Sequence, residues 1–186
     1  MKTYNIITGS NEDEIWQQIN RQISGDDDLL EYTVLVKQGD QEITLDIDID
    51  LGGGFESGYE TTTFSAPLHT APSFKFAVHP QHFTDEVGKF FGMQDVEIGY
   101  APFDKKFIIK TDDKKKLREA FSDEASRNTL LTLDDFSLGV HTHHYAESDE
   151  KGPFLELLIE KGITDPQVLR SLYHAFYTIL VSLSKA

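Results

Sequence analysis

The sequence predicts an α+β fold: a single, mainly antiparallel sheet of six to eight strands with helices on one face and a long C-terminal helix across the sheet. Three observations carry this. Apolar and polar residues alternate at period two through most segments between residues 31 and 111, the pattern of strands with one dry and one wet face. Two such segments, 31 to 38 and 41 to 50, flank Gly39-Asp40, a Gly-X pair suited to a type II′ hairpin turn. Finally, Asp165-Pro166 is a cap followed by a first-turn proline, and Val168, Leu169, Leu172, Tyr173, Phe176, Ile179, Leu180 and Leu183 recur after it at helical spacing.

The elements follow in order. Ser10 can cap a helix from about residue 11 to 24, with Ile15, Trp16, Ile19 and Ile23 on its buried stripe; Gly25 and Asp26-Asp27-Asp28 end it. In the hairpin, a two-residue loop sets Val36 opposite Ile43, Val34 opposite Leu45 and Tyr32 opposite Ile47, all on one side. The other side then pairs Lys37 with Glu42 and brings Glu31 near Asp48. Because strand 31 to 38 begins the hairpin, it is expected to leave an open edge. Gly52-Gly53-Gly54 is a turn and not a phosphate cradle, since no GK[ST] follows.

Tyr59 to Ala66 reads as a strand returning antiparallel to its predecessor, and Phe74, Phe76 and Val78 as the next. Residues 81 to 91 suggest a short helix or turn carrying Phe83, Val87, Phe90 and Phe91. The stretch from Gln94 to Thr111 organises the chain, as two strands hinged at Gly99 and Pro102: Val96 and Ile98 lie on the first, and Phe103, Phe107 and Ile109 form the buried face of the second. Asp112 or Asp113 caps a helix through Leu117, Ala120 and Phe121, and Ser122 restarts another through Leu130 and Leu131. A last hairpin is expected from Phe136, Leu138, Val140 and Leu155, Leu157, Ile159.

Residues 95 to 113, D-V-E-I-G-Y-A-P-F-D-K-K-F-I-I-K-T-D-D, with the terminal D-P-x-x-L-x-x-L helix, resemble an uncharacterised bacterial family of domains of unknown function. Its core is D-[IV]-E-[IV]-G-x-x-x-F-D-x-x-F-x-[IV]-K-[ST]. The similarity spans roughly residues 74 to 184. It implies one α+β domain and brings no catalytic residue, cofactor or substrate. Physically, Phe103 and Phe107 are expected to anchor the strand, and Asp104 to hydrogen-bond the preceding turn.

At 186 residues the chain fits one domain, residues 1 to 186. Its 32 acidic against 17 basic residues give a net charge of −15, which repels nucleic-acid phosphates and anionic lipid surfaces. No cysteine is present, so disulfides, thiolate metal sites and a cysteine nucleophile are excluded. With no long apolar run and no leader-like start, the expected place is the cytoplasm, without membrane insertion.

Asp46, Asp48 and Asp50 imitate the start of a calcium loop, but Leu51 and Ser57 stand where that loop needs glycine and glutamate, so they read as the outer face of a strand. His141 and His143 share one side of a strand about 7 Å apart. A hairpin register setting Glu156 opposite His141 would complete a metal-ligand trio of His141, His143 and Glu156. No serine-histidine-aspartate arrangement has an anchor. The expected function is therefore a non-enzymatic interaction or binding module for a protein partner or a second copy, with no catalytic residues and no cofactor. The alternative is a metal-binding protein or metal-dependent enzyme on the histidine cluster.

Overall fold

In a computed structural model describing residues 5–23, 29–53, 57–69, 72–82, 93–144 and 150–185, nine strands join one sheet in the order β1-β2-β3-β4-β9-β8-β5-β7-β6. The strands are β1 (Asn5–Gly9), β2 (Glu31–Gln38), β3 (Gln41–Asp50), β4 (Tyr59–Pro67), β5 (Phe76–Pro80), β6 (Gln94–Asp95), β7 (Phe107–Thr111), β8 (Phe136–His144) and β9 (Lys151–Ile159). Among the described residues the helices are α1 (Glu12–Ile23), α2 (Ala101–Lys106), α3 (Lys114–Ala120), α4 (Glu124–Leu131) and α5 (Pro166–Lys185).

The first hairpin has the expected register, Val34 against Leu45 and Val36 against Ile43, and Gly39 takes the positive φ (59°) that its turn requires. Lys37 and Glu42 pair across the outer side at 2.6 Å. One strand more than the expected maximum comes from β1, which runs parallel to β2 after the α1 crossover. The hairpin strand β2 is thus internal, and the expected open edge moves to β1. Helix α1 is capped one residue later than expected: Asn11 Oδ1 accepts from the Glu14 amide, and the Glu14 carboxylate accepts from the Ser10 amide and hydroxyl. The Ser10 amide and hydroxyl hold the Glu14 carboxyl below the usual carboxylate range.

The organising stretch differs in form. Its first strand is only Gln94–Asp95, while the Val96 amide still donates to Ile109 O at 2.8 Å. Phe103 sits on the short helix α2, started by Pro102, and not on a strand. Gly99 turns the chain at φ 89°, and both Asp104 oxygens accept from that turn, one from the Ile98 amide and one from the Gly99 amide, each at 2.8 Å. A Cβ on Gly99 would lie 2.0 Å from Arg118 Nη1, which donates to Ile98 O. Asp113 caps α3 as expected; Asp123, and not Ser122, caps α4. Asp165 Oδ1 accepts from the Gln167 and Val168 amides at the start of α5. The readings for Gly25 to Asp28 and for Phe83 to Gly92 fall outside the described residues.

Inward strand residues and the buried faces of the helices form one cluster containing Ile19, Phe64, Phe121, Leu157, Leu172 and Phe176. Phe107, 3% exposed, sits in an aromatic chain: its ring centroid is 4.9 Å from Phe103 and 5.1 Å from Phe136, and Phe121 links Phe103 to Phe76. These rings seat it against α2 and β8. Phe107→Ala should cost about 3–5 kcal/mol in chemical denaturation, a large part of the ~5–15 kcal/mol of a typical domain.

Burial also reaches tyrosines. It pushes the Tyr32 phenol up to about 12 from 10.0. Tyr173, whose hydroxyl donates to Gln38 Oε1 at 2.7 Å, is raised by burial first and then by Tyr177 and Glu12. The unfolded phenols ionise at lower pH than the folded ones. Their stabilisation is therefore fully present below about pH 10 and lost as pH rises toward 12. Denaturation midpoints should fall across that window, and less steeply in Tyr32→Phe.

Candidate functional site

Alternation sends one residue in two away from the core, and these build the outer face of the sheet. Across β2, β3, β4 and β9 that face carries Glu31, Glu42, Asp46, Asp48, Asp50 and Glu156, with Lys37 as the opposing charge. Threonines fill the spaces between. The carboxylates are held separately: Thr33 Oγ1 donates to Asp46, Tyr59 Oη to Asp48 at 2.8 Å, and the Gly52 amide to Asp50 at 2.8 Å. Asp46, Asp48 and Asp50 therefore do not converge on a common point, in keeping with their reading as an outer strand face. The field they create registers on Tyr59, 52% exposed. Its phenol is raised by the hydrogen bond to Asp48 and by the charges of Asp48, Asp50 and Glu31.

The last hairpin does not have the expected register. His141 lies opposite Phe154, and Glu156 opposite Gly139. The slip of two residues preserves the face while changing the partner. Glu156 meets His143 instead, Oε2 to Nε2 at 3.0 Å, with the two side chains 21% and 44% exposed. The His141 and His143 rings stack at 6.0 Å between centroids, and Phe154 packs edge-on against His143 at 5.6 Å. Among the described residues, no group of three histidine, aspartate or glutamate side chains is arranged to hold a metal ion.

Other histidines were less legible. His79 is 1% exposed although its place on β5 faces outward, because both faces of that strand are buried. Its Nδ1 lies 3.0 Å from Pro80 O, and Ile108 of β7 stands across from it. His82 pairs with Asp135 at 2.7 Å. His174 of α5 is a junction: Nδ1 lies 2.9 Å from Glu12 and Nε2 3.8 Å from Asp123. Arg170 adds contacts to Glu12 at 2.8 Å and to Asp13. This network ties α5 to the start of α1 and the cap of α4. No local motif could have announced it, because its members lie far apart in the chain.

A groove of about 470 Å³ runs between Thr132–Asp135 and Glu160–Asp165 and is lined by both polar and apolar groups. The space between α5 and the sheet is occupied by Leu169, Leu172, Phe176, Ile179 and Leu180, all buried.

No family model matches the chain, and no curated protein matches it. Among solved structures it is similar to the mycobacterial trehalose monomycolate transport factor A, TtfA, at 9% identity and a TM-score of 0.43, over 86% of this chain and 76% of that one.

Being partly solvated, the His143–Glu156 pair should add little to stability. A double-mutant cycle with His143→Ala and Glu156→Gln should return a coupling of roughly 0–1 kcal/mol in denaturation.

Proposed function

We propose that the chain is a non-enzymatic binding module that meets a protein partner, or a second copy of itself, through the outer face of β2, β3, β4 and β9. One observation carries the reading: that face bears Glu31, Glu42, Asp46, Asp48, Asp50 and Glu156 against Lys37 alone among its charged side chains in those strands. A surface of one sign steers a partner of the other and rejects partners of its own sign. Tyr59 adds a large, amphipathic contact at the end of the face. The net charge of −15 argues against nucleic acid and anionic membranes as partners. No helix among the described residues is long and apolar enough to cross a membrane. A cytoplasmic place and kinship with the bacterial family resembled by residues 74 to 184 belong to this reading, and neither assigns a site.

A metal-binding protein, or a metal-dependent enzyme, using His141, His143 and Glu156 is the second reading. The contact between His143 and Glu156 favours it.

A photo-cross-linking amino acid placed at Thr63, on the outer face, should yield discrete protein adducts in cells. The same group at Gln167, exposed on α5, should yield none. Adducts from Gln167 only would contradict the assignment of the face. Metal analysis after purification without an affinity tag separates the second reading: the binding-module reading expects far less than one ion per chain, and about one ion per chain, lost in His143→Ala, would favour the metal site.

A further inference from the structure

The sheet has two edges, and they are unlike. The edge strand β6 has only two residues, one of them Asp95, which pairs with Lys110 at 3.7 Å. Short length and charge are the ordinary devices that stop a sheet from accepting further strands. The edge strand β1, N-I-I-T-G, has five residues, no charge and no proline, in a chain that is 26% charged. Ile6, 57% exposed, stands on its outer side next to Leu35 of β2.

The backbone of β1 shows which groups face outward from the sheet. Because β1 is paired on one side only, its alternate residues turn their N–H and C=O groups away from β2. Thr8 O accepts from Gln18 Nε2 at 3.0 Å, which marks Thr8, and by alternation Ile6, as residues whose backbone faces the open side. Gln18 occupies the Thr8 end of the edge. Among the described residues no group bonds to the Ile6 backbone from the open side, and what fits a strand's backbone is another strand.

Resting on the binding-module reading above, we propose that β1 takes an extended, cationic segment of the partner protein as an additional strand, seated at Ile6. The cationic character follows from complementarity. On the same face β2 and β3 present Glu31, Glu42 and Asp46, the one cation there, Lys37 beside Thr8, is paired with Glu42, and the chain carries −15 overall. That charge also disfavours a second copy, since two such chains repel. The free length of edge among the described residues is moreover short beside the ~1,600 Å² of a standard stable interface.

The test uses the full chain with two fluorescein-labelled octapeptides, one alternating lysine with valine and one alternating glutamate with valine, read by anisotropy. The lysine peptide should bind saturably and the glutamate peptide should not. Ile6→Pro removes an outward N–H, and should weaken lysine-peptide binding about tenfold or more. Ile6→Lys keeps the backbone donor and adds a repelling charge; it should weaken binding similarly while keeping the wild-type denaturation midpoint. Lysine-peptide binding unchanged in both variants but lost in Asp46→Asn/Asp48→Asn would overturn the edge while leaving the binding-module reading intact. Failure of both peptides to bind wild type would also overturn it, and the Thr63 cross-link then decides the broader reading separately. A dimer in sedimentation that Ile6→Lys abolishes would overturn the proposed occupant in favour of a second copy.

Discussion

Burial of the inner side of the sheet is the constraint on which the rest of the structure depends. Val34, Val36, Ile43, Leu45, Phe64 and Leu157 all face the same way, and Leu169, Leu172, Phe176 and Ile179 of α5 are buried in the same cluster. With period-two strands, committing one set of residues to that cluster commits the other set to the opposite side. The acidic outer face is thus the geometric complement of the core: the same alternation that fixes the hairpin register sets Asp46 and Asp48 outward. In the proposed binding module, binding and stability are divided between the two sides of one sheet. An exception lies around β5, where both faces are closed and His79 is enclosed.

Within that frame the Gly99 turn joins the sheet to its smaller helices. The Asp104 carboxylate accepts from two consecutive amides, and Arg118 holds the Ile98 carbonyl from α3. The guanidinium groups of Arg118 and Arg127 lie over the Tyr100 ring, 4.9 and 3.8 Å from its centre. The residues that carry the family resemblance are therefore occupied in closing a turn and seating an aromatic chain. Asp95 pairs with Lys110, and Thr111 bonds to the Lys75 carbonyl and the Asp113 amide, while Glu97 is exposed.

Much of the fold was legible in the sequence, and the failures have physical causes. The first hairpin was readable because turn chemistry and both strand patterns agree on one register. Strand β1 was not: Ile7 is its one buried residue, and its partner β2 lies beyond an intervening helix. Phe103 was assigned to a strand because a separation of four places it on the same side as Phe107 at either the strand or the helix period; Pro102 was the discriminating signal. The His141 register erred by an even number, so the face was right and the facing residue wrong. A loop of several residues between the strands leaves such a slip open, whereas Gly39-Asp40 does not.

The outer face was legible as a polar face, and its membership was not. Charge composition argued against nucleic acid and anionic lipid surfaces, but which carboxylates share a face depends on pairing β3 with β4 and β4 with β9. The central claim is that binding belongs to the side and edge of the sheet that the core does not use. Its most direct test is an NMR map of amide shifts on titrating the cross-linked partner, or a cationic segment of it, into the labelled full chain. The account predicts the largest changes in β1 and in outward residues of β2 and β3, with α5 unmoved. Changes centred on the groove between Thr132–Asp135 and Glu160–Asp165, with β1 to β3 silent, would contradict it.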